Sequence, residues 1–339
     1  MLKELSEAFG PSGAECEVQS LIKKAVTGHV DRTFEDDFGN LYAFKGKKGK
    51  KIMLVAHADE VGLMIVGIER SGTLRFKPVG GIDPRVLPGK PVLLTKDRIP
   101  GVIGHKPELF SKPDELRKIV PAESMFIDIG ASSKEDAEKQ VRLGDYVIFD
   151  TKFTDDGDVF MGKAFDDRLG CYVLAQLAKK EFDAQIVLVF SVQEEVGCRG
   201  AKIAGFKVKP DCALAVEVTS TNDLPLDGEK DINQAPFLRK GPAITVADQS
   251  VICDRDLVNA IVETALEKRI PYQMKPPMVG GTDAGAVHLQ QGGIKAAVVS
   301  CPVRYIHSPC SIASYADLGL LERLVPLVVT KFIEEIKCN

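Results

Sequence analysis

Four short runs of the chain are apolar at nearly every position: IMLVA (52–56), IVLVFSV (186–192), ALAVEV (213–218) and AAVVS (296–300). They lack the alternation of a half-exposed strand and are too short for a buried helix, so they predict strands covered on both faces. Between them the apolar period changes to three and four. Leu169, Val173 and Leu177, with Cys171 and Leu174, recur in this way within 168–180, and residues 255–268 and 317–336 repeat the spacing with more charge. These segments predict amphipathic helices. Leu2, Leu5, Phe9, Val18, Leu21, Ile22 and Val26 extend the same reading to the amino terminus, as a charged amphipathic helix over residues 1–26. Buried strands alternating with helices predict an α/β domain with a mainly parallel sheet and helices on both faces.

The texture changes between about residues 65 and 153. LMIVGIERSGTLRFKPVGG, KPVLLTKDRIPGVIGH and DYVIFDTKF are short alternating segments broken by Gly and Pro, the pattern of hairpins and barrels. The expected organisation is a discontinuous α/β domain, 1–64 and 154–339, carrying an inserted β-rich domain at 65–153. Within the insert, KPELFSKPDELRKIVPAE (106–123) reads as an exposed loop.

Composition narrows the function. A chain of 339 residues with 45% apolar content can bury a large core and suits about two domains. A net charge of -4, with both signs spread along the chain, offers no basic stripe for nucleic acid and no polybasic membrane signal. No stretch has the apolar length of a membrane span or the pattern of a signal peptide, so a soluble, cytoplasmic protein is expected. The eight cysteines form no CxxC pair and mostly neighbour apolar residues, as reduced core thiols would.

The chemistry stands where the buried runs end. The first leads into His57-Ala58-Asp59-Glu60, the second into Glu194-Glu195, the third contains Glu217, and the fourth leads through CPVRY to His307; Asp166 and Asp167 open the helical segment after GKAF. In open α/β sheets the carboxyl ends of the strands line the ligand crevice, so these side chains are candidates to converge. Taken singly, each has an ordinary explanation. A histidine at a strand end is usually a hydrogen-bonded structural residue, as His29, His105 and His288 are read here, and paired Asp at a helix start is usually a cap. Carboxylates ending several buried strands at once are costly unless neutralised, and histidines with carboxylates and no cysteine suit a hydrolytic metal site with N and O ligands.

Six stretches carry a resemblance in order along the chain: VAHADEVGLMI (55–65), GKAFDDRLGC (162–171), SVQEEVGCRGA (191–201), AVEVT (215–219), GGTDAGAVH (280–288) and RYIHSP (304–309). Together with LSEAFGPSGAE near the amino terminus, they resemble the co-catalytic dimetal aminopeptidases of the glutamyl aminopeptidase and tetrahedral (TET) peptidase family. The resemblance implies a phosphorylase/hydrolase-like aminopeptidase domain and a barrel-like insert used for dimerisation. It implies His57, Asp166, Glu195, Glu217 and His307 as metal ligands, Glu194 as general base, and Asp59 as the residue holding the His57 ring. Glu217 departs from the Asp more usual at its position. With Asp166 as a bridge, His57 and Glu217 would serve one metal, and His307 and Glu195 the other. Two dications then balance three carboxylates and a hydroxide. The resemblance further implies peptide substrates with a free amino terminus, two divalent ions (zinc or cobalt, with manganese as an alternative), and dimers that assemble into a dodecamer. A glycoside hydrolase would also use two carboxylates, but the chain has no Trp and six Tyr with which to stack sugars, and histidine ligands would have no purpose there. An inactive assembly subunit of the same fold would not need the full set of candidate ligands and base. The GGTDAG turn (280–285) is expected to open a helix near the substrate.

Overall fold

The computed structural model describes residues 1–221, 223–224 and 236–335. The four apolar runs form adjacent strands at the centre of an 11-stranded sheet, in the order Gln185–Ser191, Lys51–His57, Cys212–Ser220, Lys295–Arg304. Every pairing among them is parallel, with Val55 opposite Val189 and Leu214 opposite both Leu54 and Ala297. Their carboxyl ends therefore lie along one edge. Antiparallel strands flank these four on both sides: Leu41–Lys45 and Arg32–Glu35 beyond Gln185–Ser191, and Ser311–Ser314, Val159–Gly162 and Thr154–Asp155 beyond Lys295–Arg304; Ala243–Thr245 also pairs antiparallel with Lys295–Arg304, and Gln273–Met274 pairs parallel with Ala243–Thr245. The sheet is mixed, with a parallel centre.

Helices cover it. Phe165–Leu177 packs on Lys51–His57 and Cys212–Ser220, burying Leu169, Cys171, Val173, Leu174 and Leu177 as the spacing predicts. Its approach is close enough that a Cβ on Gly170 would overlap the Val216 carbonyl and the Asp167 carboxylate. Arg255–Glu267 and Tyr315–Glu335 match the other two helical patterns. The amino-terminal helix departs from expectation, for it is two helices, Leu2–Glu7 and Cys16–Val26. Gly10-Pro11-Ser12-Gly13 separates them, because Pro11 has no amide hydrogen to donate and Gly13 takes a φ of 94°. The intervening segment docks at the end of the first central strand, where the Glu60 amide donates to the Gly10 carbonyl at 3.0 Å.

Residues between Gly62 and Phe149 form a closed six-stranded barrel, in the order Gly62–Ile68, Leu74–Val79, Phe126–Asp128, Ile99–Gly104, Pro91–Leu94, Tyr146–Phe149. Its core, including Leu63, Ile65, Phe76, Val92, Ile103, Ile127 and Val147, is separate from that of the large sheet. Residues 106–123 leave the barrel as short helical turns, with Leu109 85% and Phe110 69% exposed. Seven of the eight cysteines lie among the described residues. Cys171, Cys212, Cys253 and Cys301 are buried as expected, Cys198 is partly buried, and Cys16 and Cys310 lie on the surface instead. Cys338 is outside the described residues. Among the described residues no helix is long and apolar enough to cross a membrane.

Candidate active site

The sheet brings the strand-end residues together around a cavity of about 930 Å³, lined by His57, Asp166, Glu194, Glu195, Glu217 and His307. His57 is the last residue of its strand, and Glu217 lies near the end of the neighbouring one. Glu194 and Glu195 follow Gln185–Ser191, while His307 follows Lys295–Arg304 with a positive φ of 55°. Asp166 is nominally inside the helix Phe165–Leu177, but its φ of -82° and ψ of 110° are extended. That backbone turns its carboxylate out of the helix and into the cavity, so it is not the cap that paired Asp at a helix start usually makes.

The carboxylate of Asp166 is shared between the two histidines: Oδ1 lies 3.0 Å from His57 Nε2 and Oδ2 3.3 Å from His307 Nε2. Each histidine also meets one glutamate. His57 Nε2 is 3.7 Å from Glu217 Oε2, and His307 Nε2 is 3.2 Å from Glu195 Oε2. Glu194 stands farther off, with Oε2 4.0 Å from His57 Nε2 and Oε1 accepting a hydrogen bond from the Cys198 thiol at 3.1 Å. The adjacent glutamates thus point to different partners, as neighbouring residues leaving a strand do. Gly197, at a φ of 119°, lets the chain turn back so that its own amide donates to the Glu194 carbonyl at 2.8 Å.

Asp59 ties this arrangement to the backbone. It is fully buried, with Oδ1 accepting from the Glu194 amide at 3.0 Å, and Oδ2 accepting from the Glu195 amide at 3.1 Å and the Ser12 hydroxyl at 2.6 Å. Its Oδ1 lies 3.5 Å from His57 Nδ1, the longest of these contacts, and its backbone carbonyl lies 3.3 Å from the same nitrogen. Asp59 therefore sets the position of both glutamates as well as the ring. Asp167, also buried, accepts from the His57 amide at 3.3 Å and the Gly170 amide at 3.0 Å. Beneath them Lys163 Nζ reaches both oxygens of Glu60 at 2.7 Å, and Arg168 reaches Glu60 at 3.2 Å and the Leu5 carbonyl at 2.7 Å.

The charges are out of balance. Burial, reinforced by the charges of neighbouring carboxylates, raises Glu195 and Glu217 well above the usual carboxylate range. Burial also raises Glu194. His57 and His307 rise despite burial, because hydrogen bonds to Asp166 and nearby acidic charge favour the imidazolium; His307 reaches about 9. Protons are held where positive charge is missing. Among the described residues, Glu195 Oε1 is buried without a hydrogen-bond partner. Two groups of potential ligands, His57 with Asp166 and Glu195, and His57 with Asp167 and Glu217, each place one donor atom per residue within 4.8 Å of the others. The separations of 3.0 to 3.7 Å around the two histidines are close to the edge of about 3.3 Å expected between N and O ligands on a tetrahedral ion. This donor set fits divalent cations.

Sequence reasoning did not single out Ser12, Glu15, Cys198 or Asp283, and it placed Asp167 among the converging candidates without assigning it a partner. Glu15 Oε1 accepts from the amides of Gly13 and Gln193, which fixes the residue before Glu194. The available signal was the helix-breaking GPSG at 10–13, which marks a built turn rather than a continuous helix.

The arrangement and the fold define a peptidase of known type. The chain belongs to the M42 glutamyl aminopeptidase family, whose sequence pattern matches residues 39–324. It is 33% identical to the lysyl aminopeptidase of Pyrococcus furiosus over 348 residues, 97% of this chain and 98% of that one. A TET aminopeptidase from a marine-sediment archaeon of the Thaumarchaeota superposes with a TM-score of 0.93 at 37% identity, covering 97% of this chain and 94% of the other. The TET1 peptidase of Pyrococcus horikoshii, which can assemble into a tetrahedron or a large octahedral shell, gives 0.85 at 32% identity, covering 96% and 97%. The protein is an aminopeptidase, a hydrolase of this family.

The proton-holding groups predict how metal and pH combine. With metal removed, the raised His307 contributes stability that is complete below its ordinary pKa of 6.5 and is lost as pH rises through about 9. The raised glutamates act in the same sense from lower pH. Cations occupying the cradle replace those protons, so the melting-temperature gap between metal-loaded and chelated protein should widen from pH 6.5 to 9. Reading the gap cancels groups such as Lys163, which titrate in both forms. A gap that narrowed over this range would contradict the charge assignment.

Proposed function

We propose that the protein removes the amino-terminal residue of peptides at a dinuclear metal centre, with His57 and Glu217 holding one ion, His307 and Glu195 the other, and Asp166 bridging them. The observation that carries this reading is the division of the two Asp166 oxygens between the two histidines. Zinc or cobalt suits the N and O donors, with manganese as an alternative. When bound, such ions lower the pKa of a water, polarise the scissile carbonyl and accept a free α-amine.

The chain's own groups supply the rest. Glu194 is the general base: its carboxylate lines the cavity, stands 4.0 Å off from His57, and rises in pKa through burial, which suits a group that must accept a proton and return it. It takes a proton from the attacking water and delivers it to the departing nitrogen. Asp59 keeps Glu194 in register through the backbone amide. Pro276, Pro277, Val279 and Ile306 provide apolar walls against which a substrate side chain can lie.

The barrel has a second role in this reading. As an inserted domain over about 65–153 it carries the dimer contact, and dimers build a dodecamer. Exposed Leu109, Phe110, Leu116 and Ile119 on its outward turns form apolar surface that a monomer has little reason to present. Light scattering should give a particle about twelve times the 36.8 kDa chain mass. A monomer across a wide concentration range would refute assembly.

The reaction is tested with free and N-acetylated peptides before and after chelation. Free peptides should turn over, acetylated peptides and cellulose should not, and chelation should abolish activity. Equal cleavage of acetylated peptides would end the exopeptidase claim. Glu194→Gln should keep about two ions per chain and lose at least about a hundredfold in kcat. Glu195→Gln should instead lose metal affinity by about ten- to a hundredfold, with activity partly regained at high metal concentration. The reverse pattern would exchange the two roles.

A further inference from the structure

Beside the candidate centre lies a group of side chains that its chemistry does not use as ligands. Glu194, Cys198 and Asp283 each offer one donor atom, a sulfur and two carboxylate oxygens, and these lie within 4.8 Å of one another. They come from two directions. Gly197 and Cys198 both donate their amides to the Glu194 carbonyl at 2.8 Å, which folds Cys198 back under Glu194. Asp283 arrives from the turn after Thr282, whose carbonyl is 3.6 Å from the Cys198 sulfur.

Asp283 is what makes this more than a thiol beside an acid. The residue is fully buried, with its Oδ2 occupied by the Ser191 hydroxyl; among the described residues its buried Oδ1 has no hydrogen-bond partner. A buried carboxylate oxygen without a partner is unfavourable unless something meets it. The other two side chains of the group, the Glu194 carboxylate and the Cys198 thiol, bring no positive charge to it. Cys198, held as a neutral thiol by burial and by Glu194, donates to Glu194 Oε1. Glu194 and Cys198 both line the active-site cavity, so an ion can reach them from solvent.

We propose that Glu194, Cys198 and Asp283 form a third cation site, selective for a soft divalent ion such as cadmium, and that its occupation inhibits the enzyme by engaging the general base. Binding breaks the Cys198 S–H bond, releases that proton to solvent and forms a sulfur–metal bond, with no change of oxidation state. The sulfur sets this site apart from the N and O donors around Asp166, since thiolate ligands favour softer ions. The inhibitory part rests on Glu194 being the base; the binding part does not.

The test uses the full chain carrying C16S, C310S and C338S, so that surface and terminal thiols are silent, loaded with two equivalents of manganese and then titrated with cadmium. A saturable ultraviolet thiolate-to-cadmium absorption equivalent to one sulfur per chain should appear, with at least a tenfold parallel loss of turnover. Cys198→Ser in the same background should show no such absorption, and its inhibition, measured against its own uninhibited rate, should need at least tenfold more cadmium. Absence of the absorption in the Cys198 protein would overturn the site, and equal inhibition of the two proteins would overturn its regulatory role. Absorption without inhibition would overturn its regulatory role. A preparation that showed the absorption but had no peptidase activity with any metal would instead count against the proposed reaction, because the optical signal does not depend on turnover.

Discussion

One carboxylate placed between two imidazoles is the constraint on which the rest of this structure depends. Asp166 presents a separate oxygen to His57 and to His307, and each of those histidines faces its own glutamate. A buried collection of carboxylates is unfavourable on its own, as the raised Glu195 and Glu217 show. The site is therefore organised to receive positive charge, and in its absence retains protons. The parallel centre of the sheet makes the convergence possible, because only parallel neighbours put four strand ends on one edge.

Holding these groups in place falls to a buried layer behind them. Asp59 accepts from the two glutamate amides and from Ser12, while Asp167 accepts from the His57 amide. The paired Lys163, Arg168 and Glu60 bind the amino-terminal segment to the same place, through the carbonyls of Leu5, Ala8 and Gly10. Residues 1–15 thus act as part of the site although no residue among them points into the cavity. Breaking one buried charge in such a network leaves its partner unpaired, which is the more damaging half of the loss.

The central strands and the chemistry at their ends were legible because both follow from local pattern: continuous apolar runs, then abrupt polar residues. The helices at 168–180, 255–268 and 317–336 were legible for the same reason. Edge strands were not, because Arg32–Glu35 is short, mostly exposed and without a clear period. The amino-terminal helix was over-extended, since apolar spacing on both sides of GPSG continues as if unbroken. Asp167 stood among the converging candidates, but its bond to the His57 amide was not visible and Asp283 was not singled out, because what each contacts depends on the local fold in three dimensions. Nothing in FDDRL says that the first Asp leaves the helix for the cavity while the second grips the strand below.

The claim that Asp166 bridges two ions is tested most directly by the metal content of Asp166→Asn, measured by elemental analysis beside the unaltered protein and Glu217→Gln. If Asp166 bridges, its substitution weakens both sites together, so Asp166→Asn should retain well under one ion per chain where the unaltered protein holds about two, while Glu217→Gln loses chiefly one. An Asp166→Asn protein that kept two ions and its turnover would contradict the account.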